Sequence, residues 1–457
     1  MNDLILLVTV ALAFWLVRRD GAARPGVSRA IWIPTWWVGI LASRPLSAWL
    51  GFSGGDTLEG SPVDRLFFFG LIFAALVVLS RRRVSWARFF SQNWPIFLFY
   101  GYLLVTVLWA NSPLVSGKRW IKEFGNIFVA LVVLTEADPI QAIRAVFVRC
   151  AYVLIPLSIV FIRYFPDLGR RYSIHSGGLE VTGVTTQKNA LGAMILVCAL
   201  MFLWDWLERS RPGAAPRSRL DRYAAIALLA AAAWLLYLSD SKTSITCLVI
   251  AGGIIAAVRL PLLHRRISGM GTHVLIACLG FFLLDRMFGL SAAVVSDLGR
   301  DMTFTGRTDV WRELLQVHTD PVFGTGFMSF WDDAQYRSRL PEWVAFSAHN
   351  GYLEIYLAGG AIGVGLLAVL ILAAGLRINR ALAGSDHYAV VRFAIFVAML
   401  LANFSESNFA CMTPLGFLFL IAAIGQVETV PVPHASAVAG PRRGFDQATP
   451  VNAPLLS

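Results

Sequence analysis

The chain has 457 residues, of which 57% are hydrophobic and only 15% are charged. A soluble domain usually carries about 25% charged residues, so this composition excludes an ordinary soluble protein and indicates an integral membrane protein. The net charge is +11. The basic residues do not alternate with aromatic residues as in nucleic-acid-binding surfaces, and no nucleic-acid partner is expected.

Apolar runs long enough to cross a bilayer recur along the chain, which predicts an all-α polytopic protein of about 12–13 membrane helices. The predicted spans lie near residues 4–17, 30–43, 65–80, 94–109, 120–134, 144–163, 189–206, 223–238, 243–258, 273–289, 352–374, 389–403 and 413–428. The resulting regions are helices 1–10 over residues 1–290, one long loop over 291–350, helices 11–13 over 351–429 and a disordered tail over 430–457.

The charges that flank the first span indicate how the chain is oriented. Asp3 precedes this span and Arg18-Arg19 follow it, which is the reverse of a secretory signal peptide. We interpret it as an anchor helix with its N-terminus outside. The cytoplasmic segments then hold most of the arginines, including the run Arg81–Arg83, as the positive-inside rule requires. The net positive charge therefore reflects membrane topology.

The four lysines are distributed differently from the arginines. In this orientation Lys118, Lys122, Lys188 and Lys242 all lie at the outer face. Chance survival in an arginine-rich composition is one interpretation. The other is a cationic rim that receives a phosphate-bearing lipid head group. The sequence alone leaves both open.

The long loop interrupts an otherwise apolar chain with about sixty mostly polar residues, and polar loops of this kind often carry function. Residues 311–317 predict a short helix with Thr308 or Asp309 as its N-cap. Arg307 would then lie near the positive end of the helix dipole. An arginine beside a helix N-terminus favours anion binding.

His349, at the end of this loop, is the candidate general base, because imidazole titrates near neutral pH. A single histidine near a helix end is more often an interfacial or capping residue. Here, however, Asn350 follows it and Glu354 lies five residues on. The glycine-rich segment Ala358–Gly363 predicts close helix approach, and Gly324–Gly326 predicts a tight turn.

Three shorter outer segments are also polar. The first combines Arg170–Tyr172 with Thr182–Asn189. The second, Ser239–Ser244, places Lys242 at a tight turn, where it could anchor the membrane interface or bind a diphosphate through its charge. The third, Asn403–Asn408, is interpreted as a loop that is polar because it meets water.

Several classes of site lack support. Cys150, Cys198, Cys247, Cys278 and Cys411 are scattered without metal-ligand or disulfide spacing, and four of them fall in predicted spans. No second histidine or cysteine accompanies His349 at ligand spacing. The sequence contains no Walker loop, dinucleotide fingerprint or HExxH motif. No metal and no cofactor are expected.

At the level of motifs, the sequence resembles the O-antigen ligase/polymerase (Wzy-C) superfamily, most closely its ExoQ-like exopolysaccharide polymerase branch. The superfamily resemblance rests on Thr303–Trp311, Pro321–Phe327 and His349–Glu354. The resemblance to the branch rests on Ser239–Ser244 and on the early segment Trp32–Ser47. It extends over most of the chain, from Trp32 to Gly425.

The resemblance implies a GT-C-like membrane glycosyltransferase of the bacterial inner membrane, with the long loop and the active site facing the periplasm. The donor would be a glycan on undecaprenyl diphosphate, and the acceptor another glycan or lipid A-core. Membrane lipid surrounds the reaction, and a chain-length regulator is a further candidate partner. The reaction would need no metal and would invert the anomeric centre.

The resemblance also implies roles for individual residues. His349 corresponds to the proposed base of the family's ligases and Arg307 to an arginine of the long loop. Lys242 stands where the family has a second arginine, which keeps the charge but loses the bidentate geometry and favours the polymerase branch. Further candidates for substrate or diphosphate binding are Arg170, Lys188 and Asn350.

The alternatives differ mainly in the acceptor. An O-antigen ligase would transfer finished polysaccharide to lipid A-core, and a protein O-oligosaccharyltransferase would use a protein. A polysaccharide transporter predicts ionisable residues near the membrane midplane and repeat symmetry, whereas the candidates here cluster at one face. A scaffolding role leaves His349 and Arg307 unexplained.

Overall fold

The structure is a computed structural model, and it describes residues 1–52, 60–172, 177–210, 218–257, 307–341, 343–344, 346–384, 387–425 and 427. Within these ranges the regular structure is helical apart from one two-stranded hairpin. Five helices are long and apolar enough to cross a membrane, and four shorter apolar helices accompany them. The chain is an all-α polytopic membrane protein, as the sequence predicts.

The described helices are, in chain order, α1 Asn2–Ala23, α2 Trp32–Leu41, α3 Leu46–Trp49, α4 Pro62–Arg81, α5 Trp86–Gln92, α6 Trp94–Thr106, α7 Pro113–Leu134, α8 Pro139–Tyr164, α9 Pro166–Gly169, α10 Lys188–Arg209, α11 Arg219–Ser239, α12 Lys242–Ala257, α13 Arg307–Gln316, α14 Ala334–Arg337, α15 Gly351–Ala383, α16 His387–Ala402 and α17 Pro414–Ala423. Short 3-10 helices lie at Arg29–Ile31, Val107–Trp109 and Phe330–Asp332. Strands β1 Arg170–Tyr172 and β2 Leu179–Val181 form the antiparallel hairpin. The span predicted at 273–289 and the tail 430–457 lie outside the described residues, whereas the other twelve spans coincide with helices.

Local sequence explains where many of these helices begin. Proline occupies the first turn of α4, α7, α8 and α17, where its missing N–H removes no intrahelical hydrogen bond. Side-chain oxygens of Ser61, Asp138, Ser218 and Thr413 accept from backbone N–H groups at the starts of α4, α8, α11 and α17. These caps satisfy donors that an apolar environment would otherwise leave unpaired.

A buried ion-pair network joins α1, α8 and α10 at one end of the bundle, which we call the arginine end. Arg24 contacts Asp20 at 2.8 Å and Asp205 at 3.0 Å. Arg144 pairs with Asp205 at 2.6 Å, and Arg149 pairs with Asp20 at 3.0 Å. Removing one partner of a buried pair typically costs about 3–5 kcal/mol, so this network holds the three helices in register.

Helix α15 breaks at Gly360, whose φ is +59° and ψ is −157°. The loop that contains the predicted glycine turn enters the break. The carbonyl of Pro321 accepts from the N–H of Ala361 at 2.9 Å, and the N–H of Thr325 donates to the carbonyl of Leu357 at 2.8 Å. The loop replaces backbone hydrogen bonds that the break removes, because buried backbone N–H and C=O groups are costly to leave unpaired.

The glycines around this break have two different structural roles. At Gly359 the expected close approach is present: a Cβ there would lie 3.0 Å from Cε1 of Tyr102. The Tyr102 hydroxyl donates to the Gly359 carbonyl at 2.8 Å. At Gly360 a Cβ would lie 2.2 Å from the carbonyl carbon of Val322. The expectation of helix–helix packing is therefore incomplete, since Gly360 admits a loop instead.

Candidate functional site

His349 lies immediately before α15 in a strained and firmly held backbone conformation. Its φ is +47°, in the left-handed region that non-glycine residues rarely adopt. The N–H of His349 donates to Oγ of Ser347 at 3.1 Å, and the N–H of Ala348 donates to Oε1 of Glu354 at 2.7 Å. These bonds hold the backbone at the position where the imidazole is presented.

Glu406 connects His349 to Arg307. Its Oε2 lies 3.5 Å from Nδ1 of His349, and its Oε1 lies 2.8 Å from Nη2 of Arg307. The three side chains are 29%, 16% and 23% exposed for His349, Arg307 and Glu406. A carboxylate beside Nδ1 orients the ring and directs Nε2 away from Glu406, which is the arrangement that a general base needs.

The loop that carries Glu406 is attached to the first residue of α15. The N–H of Gly351 donates to the carbonyls of Asn403 at 2.9 Å and Glu406 at 3.1 Å. The Asn403 side-chain oxygen accepts from the N–H groups of Asn408 and Phe409. A Cβ at Gly351 would lie 1.9 Å from that oxygen. Glycine is therefore required for His349 and Glu406 to meet.

Asn403, Ser405 and Asn408 in this loop are buried, and Glu406 is mostly so. The interpretation of Asn403–Asn408 as polar because it meets water is therefore wrong. The Asn403 side chain hydrogen-bonds the loop backbone, and the Ser405 hydroxyl contacts the Thr243 hydroxyl of α12. One signal in the sequence indicated this, namely a carboxylate within an amide- and hydroxyl-rich segment next to a predicted span.

A cavity of about 710 Å³, which we call the histidine cavity, opens beside this group. His349 and Glu406 line it together with Arg65 of α4 and Lys122 of α7. In the described part of the chain Lys122 makes no hydrogen bond and no ion pair within 4 Å, so its ammonium group is available to an anion. Thr243 also lines the cavity.

The other candidate cations lie outside the lining of this cavity. Lys242 pairs with Asp240 at 2.8 Å, and its side chain is 57% exposed. Lys188 lies 3.4 Å from Glu180. Nε of Arg170 donates to the carbonyl of Ile162 at 2.9 Å. All three lie at the end of the bundle that carries His349, opposite the arginine end.

Neighbours of these cations do reach the cavity. Thr243 follows Lys242 and Asn189 follows Lys188, and both line it. The Thr243 hydroxyl also lies 2.5 Å from the Ser405 hydroxyl, so the start of α12 contacts the loop that carries Glu406. Lys242 is therefore placed one residue from the cavity wall.

Asn350 is the N-cap of α15. Its Oδ1 accepts from the N–H groups of Tyr352 at 3.0 Å and Leu353 at 3.1 Å. This cap fixes the start of the helix next to His349. The side-chain oxygen of Asn350 therefore bonds to the helix backbone and is not directed at a ligand.

The N-cap predicted for the loop helix is wrong. The described helix α13 already includes Arg307, so Thr308 and Asp309 lie in its first turn. The Asp309 carboxylate instead pairs with Arg312 at 2.8 Å. Arg307 remains at the N-terminal end of the helix, and its guanidinium is directed to Glu406.

Arg44 is a supporting residue that sequence reasoning did not single out. Its guanidinium donates to the carbonyls of Leu168 at 2.9 Å, Gly183 at 3.1 Å and Val184 at 3.1 Å. Burial lowers the pKa of this side chain. Arg44 thereby holds the segment that leads into α10, whose first residues line the histidine cavity.

Within the described residues, no three His, Cys, Asp or Glu side chains are grouped as a metal site. Cys150, Cys198 and Cys247 are buried free thiols, and Cys411 is a partly buried one. Cys278 lies outside the described residues.

Comparison with known proteins gives two matches. Residues 225–368 match the O-Antigen ligase family, Wzy_C, a range that includes Lys242, Arg307 and His349. The chain is also 24% identical over 409 residues to the exopolysaccharide production protein ExoQ of Rhizobium meliloti (strain 1021), which covers 84% of this chain and 88% of the relative. Both matches support a polymerase-like or ligase-like role in O-antigen or exopolysaccharide assembly. The resemblance predicted from the motifs is confirmed: in this multi-pass membrane protein, residues 225–368 match the Wzy_C O-antigen ligase model.

Proposed function

We propose that the protein is a membrane glycosyltransferase that joins oligosaccharide repeat units carried on undecaprenyl diphosphate. The observation that carries this proposal is the His349–Glu406–Arg307 group, of which His349 and Glu406 line a cavity that also contains Lys122. A base and several cations beside one cavity suit a reaction in which a hydroxyl attacks and a diphosphate leaves.

In the proposed step, Nε2 of His349 removes the proton from a hydroxyl of the acceptor sugar. The hydroxyl oxygen forms a bond to the anomeric carbon of the donor glycan. The bond between that carbon and the phosphate oxygen breaks, and its electron pair leaves with undecaprenyl diphosphate. Attack opposite the leaving group inverts the anomeric centre, and the step requires no metal because side-chain cations stabilise the diphosphate.

The cations divide into two groups by position. Arg307 pairs with Glu406, which also contacts His349, whereas Lys122 and Arg65 line the cavity itself. We assign the leaving diphosphate to Lys122 and Arg65, with Arg307 next to it. Lys242 lies at the rim one residue from the cavity wall and guides the anion inward.

Arg170 and Lys188 belong to the same outer surface as Lys242 and share this guiding role in the proposal. Arg170 donates to the carbonyl of Ile162, and Lys188 lies beside Glu180. Both charges are therefore held near the end of the bundle that carries His349. Asn350 contributes by capping α15 and so holding His349 in position.

We propose that the protein lies in the bacterial inner membrane with His349 facing the periplasm. The buried Arg24, Arg144 and Arg149 lie at the opposite end of the helices. Enrichment of arginine at that end agrees with a cytoplasmic location under the positive-inside rule. In this orientation lipid-linked glycan reaches the histidine cavity from the outer leaflet.

The proposal is tested in cells that lack the native gene and carry either the wild-type protein or His349→Ala. We expect the variant to reach the membrane in normal amount, to make no polymer and to accumulate single lipid-linked repeat units. Polymer that stays on the lipid carrier at normal length in the variant would instead indicate a ligase. Normal polymer on its normal acceptor would contradict both assignments.

A further inference from the structure

A second cavity of about 710 Å³ lies on the other side of the segment that leads to His349. Its walls are residues 326–332, which follow the loop that enters the break in α15, the turn of α7 that contains Arg119, the start of α15 and the loop that carries Glu406. Its lining is rich in aromatic rings, namely Phe327, Phe330, Trp331, Phe346 and Phe409. We call it the aromatic cavity.

The polar groups of the aromatic cavity are carboxylates and their partners. Asp332 pairs with Arg119 of α7. The indole N–H of Trp331 donates to Oε2 of Glu354 at 3.0 Å, and the other oxygen of Glu354 accepts from the N–H of Ala348 at 2.7 Å. One wall of the cavity is therefore bonded directly to the residue that precedes the candidate base.

The two cavities adjoin. Phe346, Ser347 and Ser407 line both of them. Lys122 and Arg119 lie one helical turn apart on α7, the first in the histidine cavity and the second in the aromatic cavity. The shared wall therefore separates the histidine cavity, in which Lys122 is available to an anion, from the aromatic cavity, in which Arg119 and Asp332 pair with each other.

Ser407 provides an independent indication of a ligand. Its Oγ is buried, and within the described residues it has no hydrogen-bond partner. A buried hydroxyl without a partner is unfavourable, and Ser407 lines both cavities. Ser407 is also the residue after Glu406, which orients His349.

We propose that the aromatic cavity binds the sugar of the acceptor glycan, so that donor and acceptor reach His349 from opposite sides. This inference rests on the proposed function. The apolar faces of a sugar ring pack on aromatic side chains, and its hydroxyls hydrogen-bond to Asp332 and Ser407. An isolated acyl chain would leave the Ser407 hydroxyl unpaired, and a diphosphate would meet the carboxylates of Asp332 and Glu354.

A matched pair of variants at Trp331 tests the stacking. Trp331→Phe and Trp331→Leu both remove the N–H bond to Glu354, so the pair differs in the aromatic ring. We expect the leucine variant to have an acceptor KM about tenfold above that of the phenylalanine variant, with equal donor KM. Equal acceptor KM in the two variants would overturn the proposal.

A second pair tests occupation of the cavity without using turnover. Cys411 lines the aromatic cavity, so Cys411→Trp fills it and Cys411→Ser leaves it open. The probe is the repeat-unit oligosaccharide released by mild acid from the lipid-linked pool of the producing cells. Saturation-transfer NMR should detect binding to the wild-type protein and the serine variant, and a loss of binding in the tryptophan variant.

The two hypotheses fail in different ways. Unchanged oligosaccharide binding by a folded Cys411→Trp protein overturns the acceptor site, although wild-type transfer would still support a glycosyltransferase. A wild-type protein that transfers nothing overturns the proposed function itself. If Cys411→Trp does not fold, as a lowered melting temperature would show, the Trp331 pair decides the question.

Discussion

At the scale of single residues, chemistry is concentrated where side chains from distant parts of the sequence meet. His349 precedes α15, Arg307 begins α13 and Glu406 follows α16, yet one carboxylate contacts the other two side chains. Motifs in the sequence identified His349 and Arg307. Glu406 was not identified, because the residues of Asn403–Asn408 do not by themselves indicate that this loop contacts Gly351.

The first residue-scale prediction concerns Glu406. Glu406→Gln should lower kcat about 100-fold, the lower end of what general base catalysis contributes, because the amide no longer favours the charged imidazole. Donor KM should change little, since the cavity cations remain. Asp309→Asn is the matched control, because Asp309 also pairs with a nearby arginine but at an exposed position. Equal rates for the two variants would contradict the role of Glu406.

The second residue-scale prediction separates the cavity lysine from a rim lysine. Lys122→Gln should raise donor KM roughly 10- to 100-fold, because one charge-assisted bond to a phosphate is worth about 1.5–3 kcal/mol. Lys188→Gln removes the same charge where the lysine already faces Glu180, and should change donor KM far less. The measurement is initial rate against the concentration of lipid-linked donor. A larger effect at Lys188 would move the diphosphate site to the rim.

At the scale of elements, the break in α15 and the loop that fills it depend on each other. Without the loop, the carbonyl of Leu357 and the N–H of Ala361 would lose these partners. Without Gly360, the loop could not enter. The same helix begins with Gly351, which allows the loop that carries Glu406 to approach. One helix therefore positions two loops of the candidate site.

Gly360→Ala tests this dependence. The alanine would adopt a positive φ, which costs about 1–3 kcal/mol, and its Cβ would overlap the Val322 carbonyl. We expect a clear loss of thermal stability in detergent, together with a loss of activity. Gly365→Ala is the control within the same helix, because nothing lies within 4 Å of its Cβ and alanine favours helix. Similar melting temperatures for the two variants would show that the break is dispensable.

The sequence predicted the helices directly, and it indicated only part of the candidate site. Twelve predicted segments were recognisable as helices because membrane thickness sets the length of an apolar helix. The break at Gly360 was not, since a glycine-rich helix segment looks the same whether a helix or a loop approaches it. Motifs in the sequence identified the candidate base and Arg307. Lys122 could be distinguished from the other three outer lysines only in the tertiary structure, where it lines the histidine cavity.

At the scale of the whole molecule, the bundle has two polar ends with different tasks. The arginine end is closed, with Asp20 and Asp205 pairing with buried arginines across three helices. The opposite end is open, with two adjoining cavities separated by the segment that presents His349. A rigid closed end and an open reactive end suit an enzyme that holds two lipid-anchored substrates at one membrane face.

The most direct test uses the purified protein in detergent with a lipid-linked repeat unit as the only glycan, and separates the products on a gel. We expect a ladder of lengthened lipid-linked glycan from the wild-type protein, and none from a folded His349→Ala variant. A ladder that persists in His349→Ala would contradict the assigned base. Failure of the wild-type protein to transfer glycan, either to a second repeat unit or to added lipid A-core, would contradict glycosyl transfer altogether.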